Sequence, residues 1–291
     1  MMKVNEMNAA NRELFRHLSI FLNHEPDFIQ EPIIHELMEE CGLTEEDAFR
    51  TVLAAALGYR VGESREDTEL VRRFFPCMIR KADRERYRMD PYYCSVTFPS
   101  VSQGAWTLTT QCYQPYEAFV CGNPIVKQGY ILPQIGFFDA PFHYPAVLQD
   151  GREWMTVIPN EIVTMEAPIQ RAKGRVVAYG LGLGYYAFMV SRKTEVSSVT
   201  VVECDCELIR CFETYLLPQF PNRDKIRIIL ADAFDYAAHQ VPVKKPDHVF
   251  ADIWHDPSDG VEAYRRFKAW EGFSPDTVYD YWIEDTLKLY L

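Results

Sequence analysis

From about residue 160 onward, short apolar runs alternate with segments of helical periodicity, and no other feature of this sequence constrains its fold as strongly. "RVVAY" (175–179), "SVTVVE" (198–203), "KIRIILAD" (225–232) and "HVFADIW" (248–254) read as buried strands. "YYAFMVSR" and "CELIRCFETYLL" read as helices between them. Repeated strand–helix units force parallel strands joined by right-handed crossovers, with helices on both faces. The expected class is therefore α/β, with a doubly wound parallel sheet in the domain 156–291.

In such a sheet, ligands bind beyond the carboxyl ends of the strands, near the point where strand order reverses. The stretch "VVAYGLGLGYYAF" places Gly180, Gly182 and Gly184 there, directly after the first strand. A loop without Cβ atoms can turn sharply and let a ligand approach the main chain. The amides opening the next helix then point at the ligand's polar part. Packing glycines are the competing explanation, and the context weighs against them. Glu203 ends the second strand about 20 residues further on, the offset of a carboxylate that grips a ribose diol. Asp232 ends the third strand in "ILADAF", within reach of an adenine amino group. Together these strand ends point to a nucleoside-type ligand. The spacing is G-x-G-x-G, whereas a dinucleotide fingerprint would place its third glycine at Tyr185. Tyr185 and Tyr186 leave little room for a pyrophosphate, which disfavours a nicotinamide dinucleotide.

"VVAYGLGLG", "VVECD", "ILADAFDY" and "HVFADIWHD" together resemble the Rossmann-like S-adenosylmethionine-dependent methyltransferases, and most of all the branch that includes the polyamine synthases. The resemblance spans about 160–260, a little over a third of the chain. It implies S-adenosyl-L-methionine as cofactor, with Gly180, Gly182 and Gly184 flanking its methionine portion and ribose. Glu203 would hold the ribose hydroxyls and Asp232 with Ala233 the adenine, while Tyr179 and Cys204 complete the binding set. The implied activity is methyl transfer to a small-molecule acceptor, such as an amine. Aminopropyl or aminocarboxypropyl transfer, and a cofactor-binding protein without turnover, are the alternatives.

Two departures stand out. Many members carry an acid two positions before the first glycine, where this chain has Ala178. The family's sheet also continues for three strands past the fourth, whereas the residues after Asp252 read as two helices. "SDGVEAYRRFKAW" repeats Val261, Tyr264, Phe267 and Trp270 at helical spacing. "SPDTVYDYWIEDTLKLYL" opens on Ser274 as N-cap and Pro275 at N1, with Tyr279, Ile283 and Leu287 one turn apart. A sheet shortened after the fourth strand is expected, unless hairpins from 91–150 complete it.

The acceptor should lie past the fourth strand, at "ADIWHDPSDG". Asp252, His255 and Asp256 are the candidate catalytic residues, binding an amine and taking its proton, although "DPSDG" also suits a helix cap. A second candidate lining is Asp139, His143, Tyr144, Asp150 and Glu153, since acids and rings suit a cationic acceptor. The segment 154–170 should lead a helix into the first strand, with Glu161 or Thr164 near the cofactor's carboxylate end.

The first 90 residues read as a helical domain or lid, with capping-box-like starts at Thr44–Asp47 and Ser64–Asp67 and with Gly42 and Pro76 marking stops or turns. Glu39, Glu40, Glu45, Glu46 and Asp47 set it apart from a DNA-binding helix-turn-helix. It is a candidate surface for a homodimer. Residues 91–155 read as a small β-rich region with hairpins, and "DAPFHYPAVLQDGREWM" as loop.

Acidic residues outnumber basic ones 42 to 30, and Lys and Arg form no cluster, so nucleic acid is excluded as the primary ligand. The apolar runs are too short to cross a bilayer, and "MMKVNEMNAANREL" has no apolar core of a signal peptide. The eight cysteines include no C-x-x-C pair. They fit free thiols in a reducing cytoplasm better than a metal site at Cys204, Cys206 and Cys211.

Overall fold

The β-branched and aromatic runs of the second half form a parallel sheet because both of its faces are covered. In the computed structural model, which describes residues 2–291 apart from the side chain of Asn5, the four expected strands are Gly174–Tyr179, Val196–Glu203, Ile226–Leu230 and His248–Ala251. Val176 to Tyr179 and His248 to Ala251 are buried without interruption. A fifth strand, Val278–Tyr281, pairs in parallel with the fourth. The order across the sheet is third, second, first, fourth, fifth, so it reverses between the first and fourth strands. Their carboxyl ends therefore frame the crevice.

That fifth strand corrects the reading of 274–291 as a helix, and the sheet does not stop at the fourth strand. Ser274 is not an N-cap. Its Oγ pairs with Thr277 Oγ1 at 2.8 Å, and Thr277 Oγ1 donates to the Pro246 carbonyl at 2.6 Å. This turn ties the chain beside the entry of the fourth strand, whose open edge then offers main-chain partners that a lone helix would not have. Only Glu284–Leu287 and Lys288–Tyr290 keep helical form. The apolar spacing of Tyr279, Ile283 and Leu287 suits a strand, a turn and a short helix equally well.

The chain divides into two units: the residues up to Arg86 with Cys112–His143, and Tyr87–Gln111 with Tyr144–Leu291. In the first, helices Glu45–Ala56 and Arg65–Met78 begin where Thr44 and Ser64 accept from the amides of Asp47 and Asp67. Pro76 lies inside the second of these helices, in its last turn, rather than stopping it. Phe49 stacks on Phe137 at 3.9 Å in this unit's core. Asn11, fully buried, exchanges two hydrogen bonds with the main chain of Ile131.

Residues 142–156 are a hairpin, not a loop: Phe142–Gln149 pairs with Arg152–Thr156. Asp150 and Gly151 turn it with φ of 50° and 78°, the left-handed pair that a two-residue hairpin of this hand requires.

A buried polar group joins the fourth and fifth strands to the helix Pro159–Arg171. Arg171 Nε donates to both oxygens of Asp280 at 3.0 Å. His248, wholly buried, has Nε2 3.3 Å from Asp280 Oδ2 yet makes no hydrogen bond. Burial lowers the pKa of its ring to about 4, against the pull of Asp280. Unfolded, the ring takes a proton near pH 6.5; folded, it stays neutral down to about 4. This contribution to stability is complete above pH 6.5 and falls by about 3 kcal/mol as the pH drops to 4. Replacing His248 with Gln should flatten that part of a urea-unfolding stability profile, and parallel profiles for the two proteins would contradict a buried neutral ring.

Candidate functional site

A cavity of about 480 Å³ opens beyond the carboxyl ends of the first four parallel strands. Its size suits a small-molecule ligand. Each strand contributes its last residue or the loop that follows: Gly180 to Gly182, Glu203 with Cys204, Asp232 with Ala233, and Asp252 to His255.

The glycines do a different job from the one expected of a bare loop. All three have positive φ: 91° at Gly180, 47° at Gly182 and 72° at Gly184. A Cβ at Gly180 would stand 2.0 Å from the Asp252 carbonyl oxygen, and one at Gly182 would stand 1.8 Å from Met155 Sδ. At Gly184 it would meet the Phe212 ring at 2.4 Å. The missing side chains make room for protein atoms, and the room for a ligand lies beside the loop. Gly184 opens the helix Tyr185–Ser191 and is not part of the cavity lining.

The two acids at the strand ends line the cavity and also have structural duties. Glu203 Oε2 accepts from the Leu181 amide at 3.0 Å, and Oε1 accepts from Cys204 and Asp205 at 2.8 and 2.9 Å. It thereby fastens the end of the second strand to the glycine loop. Asp232 Oδ1 accepts from the Asp235 amide at 2.8 Å and caps the helix Ala233–His239.

Asp252 is partly exposed and lines the cavity, and its carboxylate makes no hydrogen bond to another described residue. The protein packed around its carboxyl raises its pKa to about 7, with burial as the only cause. His255 stands at the rim, half exposed, with Nδ1 3.1 Å from Asp259 Oδ2 and its ring edge-on to Trp154 at 4.5 Å. Asp256 is outside the lining: it accepts from the Ser258 amide and caps the helix Pro257–Trp270. Tyr179 is outside it too, stacked on Phe267 at 5.0 Å.

Of the second candidate lining, Glu153 alone borders the cavity. Asp139 is paired with Lys81 at 2.7 Å within the other unit. Glu161 borders the cavity, whereas Thr164 does not: its hydroxyl donates to the Asn160 carbonyl and accepts from Trp282 Nε1. The walls that the sequence did not suggest are Trp154, Met155, Met165, Phe234 and Trp282. The Asp150–Gly151 pair was the available signal for the hairpin that carries the first two.

Five carboxyl groups line the cavity, from Glu153, Glu161, Glu203, Asp232 and Asp252, and no Lys or Arg does so among the described residues. Burial raises Glu153, and burial followed by the nearby charge of Asp252 raises Glu161 well above the ordinary range. No group of three or more His, Cys, Asp or Glu among the described residues is placed to hold a metal ion. None of the described helices is long and apolar enough to cross a membrane.

Fold and site together define an α/β protein with a doubly wound, Rossmann-like parallel sheet and an acid-lined cavity at its switch point. No protein-family model matches the chain, and no curated protein matches it. Solved structures that match include the spermidine synthase of Thermotoga maritima, at 16% identity and a TM-score of 0.34, over 45% of each chain. Another is a spermidine synthase in complex with the transition-state analogue AdoDATO, at 19% identity and a TM-score of 0.30. That match covers 37% of this chain and 40% of the other. In both cases less than half of the matched protein's length is spanned.

The glycine loop generates a graded prediction. Gly180→Ala sets a Cβ against main chain and should cost on the order of 3 kcal/mol. Gly182→Ala meets the movable end of Met155, so it should cost nearer the ~1 kcal/mol of a left-handed residue. Urea denaturation of both variants checks the ranking, and equal losses would show that Asp252 does not hold its carbonyl against the loop.

Proposed function

We propose that this chain is an alkyl transferase that takes an adenosyl sulfonium donor and passes one of its carbon groups to a small amine. The observation that carries this reading is the cavity's charge: five carboxyl groups, several aromatic walls and no basic lining residue but His255. Sulfonium and ammonium are both cations, stabilised by carboxylates and by ring faces.

Part of the cavity fits such a donor. Glu203 and Asp232 stand at the ends of the second and third strands, where a ribose diol and an adenine would be held. Glu203 keeps acceptor capacity beyond its three amide partners, since a carboxylate has about four acceptor sites. The α-carboxylate of S-adenosylmethionine fits less well. No Lys or Arg lines the cavity to receive it, and Ala178 contributes only a methyl group there. This favours a decarboxylated donor and hence aminopropyl transfer over methyl transfer.

A sulfonium supplies a carbon already bonded to a good leaving group, so the protein's work is to hold the amine in line and free of its extra proton. Asp252 suits that second task. It ends the fourth strand, lines the cavity, and with a pKa raised to about 7 it accepts a proton near neutrality. As the new N–C bond forms and the C–S bond breaks, the electron pair leaves with sulfur and the amine's proton passes to Asp252. His255 and Trp154, packed edge to face, narrow the rim and limit water.

Incubating the full chain with S-adenosylmethionine or its decarboxylated form, each with a panel of amines, separates the readings by product mass. An aminopropyl adduct from the decarboxylated donor is the expected result. The rate should rise with pH through about 7, because the base form of Asp252 predominates above its pKa. Asp252→Asn should lose 10²- to 10⁴-fold in rate, the usual contribution of a positioned base. A pH-independent rate would remove Asp252 from this role, and binding without any adduct would favour a protein that keeps the cavity but not turnover.

A further inference from the structure

Two acids of the cavity, Glu153 and Glu161, have neither a structural duty nor a part in the transfer described above, and of the two only Glu161 is buried. It sits in the first turn of the helix Pro159–Arg171 and is 9% exposed. Its carboxylate has a single partner, the side-chain amide of adjacent Asn160 at 3.5 Å, the long limit of a hydrogen bond. The same helix turns Ile162 and Met165 into the core, so an apolar residue at 161 would serve packing better. A buried carboxyl left this poorly partnered is costly to keep. It faces the cavity together with Asp252 and Glu153, whose charges act on it, and no Lys or Arg lines the same space. A carboxylate of a bound donor is a poor neighbour for this group. A cation is the ligand that relieves it.

We propose that Glu161 is the counter-ion that seats the ammonium group of the acceptor beside Asp252, so that the cavity selects amines over neutral molecules of the same shape. This rests on the reading of the cavity as a transferase site, and it assigns the acceptor end to a residue outside the strand-end motifs. It has a second consequence. Burial and the charges of Asp252 and Glu153 favour the protonated form of Glu161 in the free protein. An arriving ammonium favours the ionised form, so amine binding should release protons.

The test is calorimetry on the full chain with n-butylamine, n-butanol and adenosine, in two buffers of different ionisation heat. Butylamine should bind about tenfold or more tightly than butanol and release protons on binding. Glu161→Gln should weaken butylamine by about 10- to 100-fold, the range for a hydrogen bond to a charged group. It should also reduce the proton release to the share that Asp252 contributes, while leaving adenosine binding and thermal unfolding unchanged. The more conservative Glu161→Asp should keep the preference for the amine. The proposal is overturned if wild type binds butylamine no better than butanol, or binds it without releasing protons, or if Glu161→Gln binds it like wild type. Adenosine binding without amine selection would leave the donor site standing and remove this assignment. Amine selection through Glu161 without adenosine binding would do the opposite.

Discussion

The main chain at Gly180 lies directly against the carbonyl of Asp252, and the rest of the site depends on that approach. The two residues follow the first and fourth strands, the pair between which the sheet reverses its order. Gly180 N donates to Val202 O, and Asp252 N donates to Tyr179 O, both at 3.0 Å, so each loop leaves its strand along the last rung of the ladder. A side chain at position 180 would force the two loops apart and carry Asp252 away from the cavity. The glycine is needed because the protein approaches itself there, and the position of Asp252 follows.

Around that fixed point the cavity gathers like charges that folding alone does not require. Glu203 and Asp232 are partly repaid by main-chain amides, and capping and stapling explain why each stands at a strand end. Glu161, Glu153 and Asp252 have no such return. Burial raises all three, and at Glu161 the charges of Asp252 and Glu153 add to it. Conflicts between local stability and burial concentrate where a protein binds or reacts. Trp154, Phe234 and Trp282 border the same space, so acids and aromatic side chains share one cavity.

The sequence announced its parallel strands because a strand buried on both faces must be apolar throughout, and four such runs are hard to mistake. It announced the strand-end acids for a related reason: Glu203 and Asp232 interrupt apolar runs where a chain leaves a sheet. Val278–Tyr281 was not legible, because four residues carry too little periodicity and the tether from Ser274 through Thr277 to Pro246 is made across 31 residues. Asp256 and Gly184 looked like site residues, since capping a helix and touching a ligand call for the same residue types at the same place. Glu161 was legible as a residue near the site, but not as a buried acid. Its burial depends on which face that helix turns to the sheet, and no local pattern records that.

The cavity's walls also differ in how far they can yield. On the glycine-loop side, Glu203 holds Leu181 through a hydrogen bond to the main chain, and the strands beneath are fully paired, so this side is set by the backbone. On the hairpin side, Met155 covers Gly182, with its thioether 3.4 Å from the Leu183 amide, and Met165 and Trp154 continue the wall. Methionine side chains are unbranched and repack at little cost, and Trp154 is 41% exposed. A ligand seated against the strand ends therefore meets a preformed surface, whereas one entering along the hairpin displaces soft groups before it reaches Glu161 and Asp252. Where a fixed half and a yielding half share one cavity, the fixed half suits the partner with an invariant shape and the yielding half the one whose shape varies. The proposed nucleoside donor and amine acceptors would divide along that line.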